Sequence, residues 1–170
     1  MHRSANPLIP LFCILLAGCV STTMKGKGFG EPFPNSHLRH LAVDYYDGFS
    51  APVLAVDDGE VIGAVSMSQL PNGNGNYISI RHSNGRISTY GHLNEYTVKV
   101  GQVVKRGEKI GENGNTGWSG PGNRVAPARP HLHLEYQVNG EHVDAELSMV
   151  GCFKPGVTYP SGKLTLPLAC

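Results

Sequence analysis

From residue 37 onward the chain alternates apolar and polar positions in short runs, broken by glycine, asparagine and proline. An extended strand sends successive side chains to opposite faces, so this alternation predicts half-buried strands rather than helices. APVLAVDDGEVIGAV (51–65) reads as two short strands around a turn at Asp57-Asp58-Gly59. YISIRH and RISTYGHL flank Ser83-Asn84-Gly85, and Asn-Gly between alternating runs is a strong hairpin signal. VKVGQVVKRGEKIGENGNTG (98–117) follows, with glycines where the backbone must turn sharply. In HLHLEYQV (131–138), Leu132, Leu134, Tyr136 and Val138 share an apolar face, while His131, His133, Glu135 and Gln137 share the other. By the same alternation His92 falls on one face with Tyr90 and Ser88. No stretch beyond residue 20 sustains a helical apolar period. The expectation is one all-β domain.

The ends differ from this pattern. MHRSANPLIPLFCILLAGC has a weakly basic start and a short apolar run, the form of a secretory signal too short to remain as a spanning helix. Its ending, LAGC, resembles the bacterial lipobox, which implies removal of residues 1–18 and lipidation of Cys19. Val20 stands where inner-membrane retention signals usually carry Asp. The expectation is therefore an exported protein held by lipid at the periplasmic face of the outer membrane. Residues 19–36 lack a hydrophobic period and read as a flexible tether, 37–150 as the domain, and 151–170 as a C-terminal tail.

Four cysteines are present. Signal removal discards Cys13 and lipidation occupies Cys19, leaving Cys152 and Cys170. An oxidising compartment permits them to pair, which would contribute roughly 3 kcal/mol in the chain-entropy model. Two free thiols, or an intermolecular bond through Cys170, are the alternatives.

A formal net charge of +1, with 16% charged residues, gives no electrostatic case for nucleic acid. Eight histidines in so modest a chain bring in chemistry instead. Two imidazoles at i and i+2 on one strand face can converge on a metal, but a bare HxH is more often a solvated face. HLAVD (40–44) and YGHL (90–93) are each equally weak in isolation.

In order along the chain, HLAVD, APVLAVDDGEVI, NYISIRHSNGRISTYGHL, VKVGQVVKRGEKIGENGNTG and PHLHLEY together resemble the lysostaphin-type zinc metallopeptidases, the LytM/LasA family. The resemblance runs from about His37 to about Ala145. It implies an antiparallel β-sandwich of the duplicated hybrid motif type and one Zn2+ per domain. It also implies hydrolysis of cross-link or stem peptides in bacterial peptidoglycan. Its zinc ligands fall on His40, Asp44 and His133, and its two non-ligand catalytic histidines on His92 and His131. For a diderm cell the expected bond is the D-Ala to meso-diaminopimelate cross-link.

Two features depart from the family pattern. Ala42 replaces the usual glycine between His40 and Asp44, and WSGPGNRVAPARP (118–130) lengthens the loop before the HxH strand. Residues 118–129 could form a lid. Glu135 could orient His133 or be a solvated carboxylate, His82 reads as structural, and His37 and His142 carry no signal. Two other readings compete. Some relatives have lost ligands and act as silent modules that bind peptidoglycan and activate an amidase. A lipoyl-type carrier would need Lys105 or Lys109 on an exposed hairpin, which their context does not supply.

Overall fold

The computed structural model describes residues 24–66, 73–117 and 129–170. The expected signal 1–18, the lipidation site Cys19 and loop residues 118–128 lie outside the described residues. Eleven strands occur among those described: β1 Met24–Lys25, β2 Val43–Tyr46, β3 Pro52–Leu54, β4 Gly59–Val65, β5 Asn76–Arg81, β6 Arg86–Leu93, β7 Glu95–Tyr96, β8 Val103–Val104, β9 Lys109–Glu112, β10 His131–Val138 and β11 Glu141–His142. The larger sheet has the order β1-β2-β10-β6-β5-β4-β8, with β11 also on β10, and a smaller sheet has the order β3-β9-β7. Every strand pairing is antiparallel. One 3-10 turn, Ala145–Ser148, is the only helical element among the described residues.

Local chemistry explains the connections. Asn84 and Gly85 take φ of 58° and 68°, the left-handed backbone with which the three-residue loop 83–85 reverses the chain between β5 and β6. Asn139 (φ 53°) and Gly140 (φ 85°) close the β10–β11 hairpin in the same way. The two strands expected around Asp57-Asp58-Gly59 do form, yet they do not pair with each other: β3 joins β9 and β4 joins β5 and β8. Asp57 anchors this crossing between Arg86 and Arg106, so the turn carries the chain from one sheet to the other.

The apolar face of β10 points into the core. Leu132, Leu134 and Tyr136 pack there with Val43 and Tyr45 of β2, Val61 of β4, Ile78 and Ile80 of β5, Tyr90 of β6 and Ile110 of β9. Tyr90 is fully buried, and its hydroxyl accepts hydrogen bonds from Val56 N and Ser88 Oγ. His82 is structural, as expected: one ring nitrogen meets Asp58 O and the other Ser88 Oγ, each at 2.8 Å.

The two terminal segments depart from the sequence expectation. Residues 151–170 are not a loose tail. Leu164 and Leu168 are buried in the core, Leu54 N donates to Pro167 O, and Thr165 N donates to Val56 O. The segment thereby covers the free edge of β3, a position that would otherwise expose unpaired backbone groups. Cys152 and Cys170 are disulfide-bonded across 18 residues, with Cα atoms 6.0 Å apart. The described part of the expected tether, from residue 24, lies along β2: β1 pairs with it and Lys27 O accepts from Asp44 N. The first segment is glycine-rich and carries no period; in the second, Leu164, Leu166 and Leu168 alternate along the chain and pack on the core, a strand-like signal that the tail reading passed over.

Leu164→Ala should destabilise the protein by about 3 kcal/mol, through lost burial and the cavity left behind. Lys154→Ala, at an exposed position of the same segment, should change stability by less than about 0.5 kcal/mol. Urea unfolding of the two variants measures this, and equal midpoints would remove the C-terminal segment from the core.

Candidate functional site

Strand register builds the site. Antiparallel pairing sets His133 of β10 directly opposite Asp44 of β2 on one side and Gly91 of β6 on the other, with His131 opposite Tyr46. Directly paired residues share a sheet face, so His131, His133, Asp44 and Tyr46 all project away from the core. His40 lies four residues before Asp44 and folds back over it.

Three atoms converge there. His40 Nε2 is 3.2 Å from His133 Nδ1 and 3.2 Å from Asp44 Oδ1, and His133 Nδ1 is 3.0 Å from the same oxygen. The opposite nitrogen of each ring has an acceptor of its own. His40 Nδ1 donates to Gly28 O at 3.1 Å, and His133 Nε2 faces Glu135 Oε1 at 3.5 Å. With those tautomers the three atoms can share one cation, and in the metal-free protein a proton on His133 Nδ1 links them instead. The edges also match a tetrahedral zinc site, where bonds of about 2.05 Å place ligands about 3.3 Å apart. The donor set of two imidazoles and one carboxylate fits Zn2+ and leaves one position open.

Electrostatics follow from this crowding. Burial alone would raise the Asp44 carboxyl, but the His133 and His40 rings outweigh it and hold it well below the usual carboxylate range. Burial pulls His133 down, and its contacts with Asp44 and Glu135 reverse this, carrying it up to about 9. Glu135 is likewise driven up by burial and then down to about 2 by His133, Asn74 and His142. Asn74 Nδ2 donates to Glu135 Oε1 at 3.0 Å, and His142 Nε2 lies 3.2 Å from Glu135 Oε2. Glu135 therefore faces the ring of His133 and is itself held from two sides.

His92 and His131 stand beside the triangle, with ring centroids 4.6 Å apart; His92 is 5.3 Å from His133. His131 Nδ1 donates to Arg129 O at 2.8 Å, and His92 Nδ1 donates to Thr116 O at 2.7 Å. Each ring thus keeps Nε2 as a bare acceptor. His92 does not share a face with Tyr90 and Ser88 as alternation predicts. Those two pair with Leu134 and Tyr136 on the core side. The backbone of His92 has φ 60°, which turns its side chain out of the core and onto the site face. A left-handed non-glycine residue costs on the order of 1 kcal/mol, and the surroundings enforce it here. His92 N donates to Asn74 O at 2.7 Å, and Gly114 approaches so closely that a Cβ there would sit 2.8 Å from His92 O. Burial first, then the nearby His133 and His131 rings, push the His92 imidazole down to about 4.

All five residues singled out in the sequence come together. Several partners were not legible there. Gly28 O, Thr116 O and Arg129 O act through the main chain, which leaves no residue-type signal. Asn74 lies in a turn-rich loop, and His142 faces the site only because the β10–β11 hairpin folds back. Tyr46 is the exception that alternation could have found, since it follows Asp44 by two and shares its face. Its ring lies 5.8 Å from that of His131, with the Arg129 guanidinium 4.5 Å above it.

Known proteins resemble this chain in sequence and fold. A family model described as Peptidase family M23 matches residues 38–145. The peptidoglycan DD-endopeptidase ShyC of Vibrio cholerae is 43% identical over 112 residues, covering 66% of this chain and 23% of ShyC. Lysostaphin of Staphylococcus simulans is 36% identical over 119 residues, covering 68% of this chain and 22% of lysostaphin. The chain thus spans about a quarter of the length of these relatives. Among solved structures, the catalytic domain of Staphylococcus simulans lysostaphin superposes with a TM-score of 0.61 at 32% identity, covering 73% of this chain and 90% of that one. A zinc-containing peptidase from Vibrio cholerae gives 0.59 at 33% identity, covering 71% of this chain and 35% of that one.

The depressed His92 has a defined pH signature in the metal-free protein. Its folded value of about 4 lies below the unfolded value of 6.5, so the unfolded chain binds more protons between the two. Stability contributed by the neutral ring is complete above pH 6.5 and is lost as pH falls toward 4. Histidine NMR titration should place its midpoint near 4, and a midpoint near 6.5 would contradict the burial described. Urea midpoints of wild type and His92→Gln should differ in slope over that window.

Proposed function

The chain belongs to peptidase family M23, and on that premise we propose that it is a zinc-dependent endopeptidase that hydrolyses peptide bonds of bacterial peptidoglycan. One observation carries this reading: the three convergent ligand atoms of His40, Asp44 and His133, with two further imidazoles presenting bare nitrogens beside them. Zinc held by those three ligands would acidify a water and polarise the scissile carbonyl.

The chain's own residues then supply the proton path. His131 Nε2 accepts the proton released by the attacking water and returns it to the leaving amine nitrogen, which converts a poor leaving group into a neutral amine. The Arg129 carbonyl fixes the tautomer that makes this possible. His92 remains neutral near pH 7 because of its burial, so it places no positive charge against His131 as that ring becomes an imidazolium. Its bare Nε2 orients the water by accepting a hydrogen bond. Donation to an oxyanion would require a proton on Nε2, which the low pKa disfavours. Asp44 stays ionised and offsets the charge of the centre, and Glu135 holds the His133 ring.

The bond we propose is the D-Ala to meso-diaminopimelate cross-link, a reading supported by the likeness to the Vibrio cholerae DD-endopeptidase and by the envelope address read from the sequence. The same address, LAGC, supports export and a lipid anchor on Cys19 that holds the catalytic unit at the periplasmic face of the outer membrane.

Purified sacculi incubated with the zinc-loaded protein should lose cross-linked dimers and gain monomers with new ends at that bond, read by mass spectrometry of muropeptides. His133→Ala should abolish the activity, and His131→Ala should lower it at least about 100-fold with zinc still bound. Zinc binding without any turnover would favour the silent amidase-activating module instead.

A further inference from the structure

The family match begins at residue 38, yet the metal centre is built with residues that precede it. Both main-chain polar groups of His40 and both of Asp44 are bonded to the segment before them. His40 N donates to Glu31 O at 2.9 Å, and Gly30 N donates to His40 O at 2.7 Å. Asp44 N donates to Lys27 O at 2.9 Å, and Gly26 N donates to Asp44 O at 2.7 Å. The ring of His40, only 3% exposed, is held as well: Nδ1 donates to Gly28 O, and the edge of Phe33 packs at 5.7 Å. The approach is close. A Cβ on Gly26 would stand 2.7 Å from the Tyr46 ring and 3.1 Å from the Asp44 Cβ.

We propose that residues 26–33 are the positioning element of the metal centre, in which the Gly28 carbonyl selects the metal-binding tautomer of His40 and the Glu31 carboxylate holds Gly28 in place. This rests on the reading of His40, Asp44 and His133 as the zinc ligands. A neutral imidazole has two tautomers, and only the one protonated on Nδ1 offers Nε2 to the metal. An acceptor fixed 3.1 Å from Nδ1 favours that tautomer, against the Asp44 carboxylate that lies 3.2 Å from Nε2 and competes for the proton until a metal takes its place. Gly28 is held in turn by Glu31, whose Oε1 accepts from Gly28 N at 2.7 Å across a tight turn. The Glu31 carboxylate holds Gly28 N and lies 4.0 Å from Lys27 Nζ, and His40 is reached only by the main-chain oxygen of Glu31. Its side chain is 52% exposed, so its removal leaves the core intact. The consequence is that the functional unit starts near residue 26, inside the stretch that composition marks as a tether.

The test uses the whole chain with Glu31→Ala and Glu31→Gln, the second keeping an acceptor oxygen at the same reach. Zinc affinity is measured by competition with a chromogenic chelator, and the His40 tautomer by nitrogen-correlated NMR of the metal-free protein. E31A should weaken zinc by about 10-fold, the lower end for groups that orient a ligand, with E31Q restoring the affinity to within about 2-fold. The His40 signal should shift toward the Nε2-protonated tautomer in E31A alone, at an unchanged thermal midpoint of the metal-free protein. Wild-type affinity and an unshifted His40 signal in E31A would overturn the proposal. So would equal losses in E31A and E31Q accompanied by lower thermal midpoints, which would mark a merely structural turn. Failure of the wild type to bind zinc would refute the ligand assignment, while the tautomer signal would still decide whether the segment fixes His40.

Discussion

Three metal-donor atoms held within 3.2 Å of one another are the constraint around which the larger sheet is arranged. Free side chains would not gather this way in solution, because ordering three of them costs conformational entropy. Backbone pairing compels it. The β2–β10 ladder sets Asp44 against His133, and the face that carries both must be the polar one because Val43, Leu132 and Leu134 commit the other to the core. The free energy that holds the donors together thus comes from burying leucine, valine and tyrosine side chains on the far side of the same strands.

What the sequence made legible was whatever strand periodicity or side-chain identity carries. Alternation in HLHLEYQV placed two histidines on one face, and Ser83-Asn84-Gly85 specified a hairpin that the structure forms. The same rule failed at His92, where a left-handed backbone enforced by Asn74 and Gly114 turns the ring onto the opposite face. Alternation assumes extended geometry at every residue, and a single φ of 60° breaks that assumption. The failure falls at a site residue, where local preference and tertiary demand are expected to conflict.

The two segments flanking the domain were read as linkers for different reasons. Residues 26–33 carry no period, because they are held by main-chain bonds to His40 and Asp44, and Gly28 contributes only a carbonyl. In 151–170 the alternation of Leu164, Leu166 and Leu168 is short and preceded by proline and glycine, so it was absorbed into a tail although those leucines pack on the core. Composition marks such stretches as linkers, although one bears on a ligand ring and the other closes a sheet edge.

The parity of β10 also limits how chains of this kind can vary over evolutionary time. His131 and His133 alternate with Leu132 and Leu134, and the strand is clasped on both sides by β2 and β6. Gaining or losing one residue within it would send leucines to the water side and bury two imidazoles. Length changes within this strand are therefore barred by the packing on both of its sides. Descendants should keep the strand's length and change it by substitution alone.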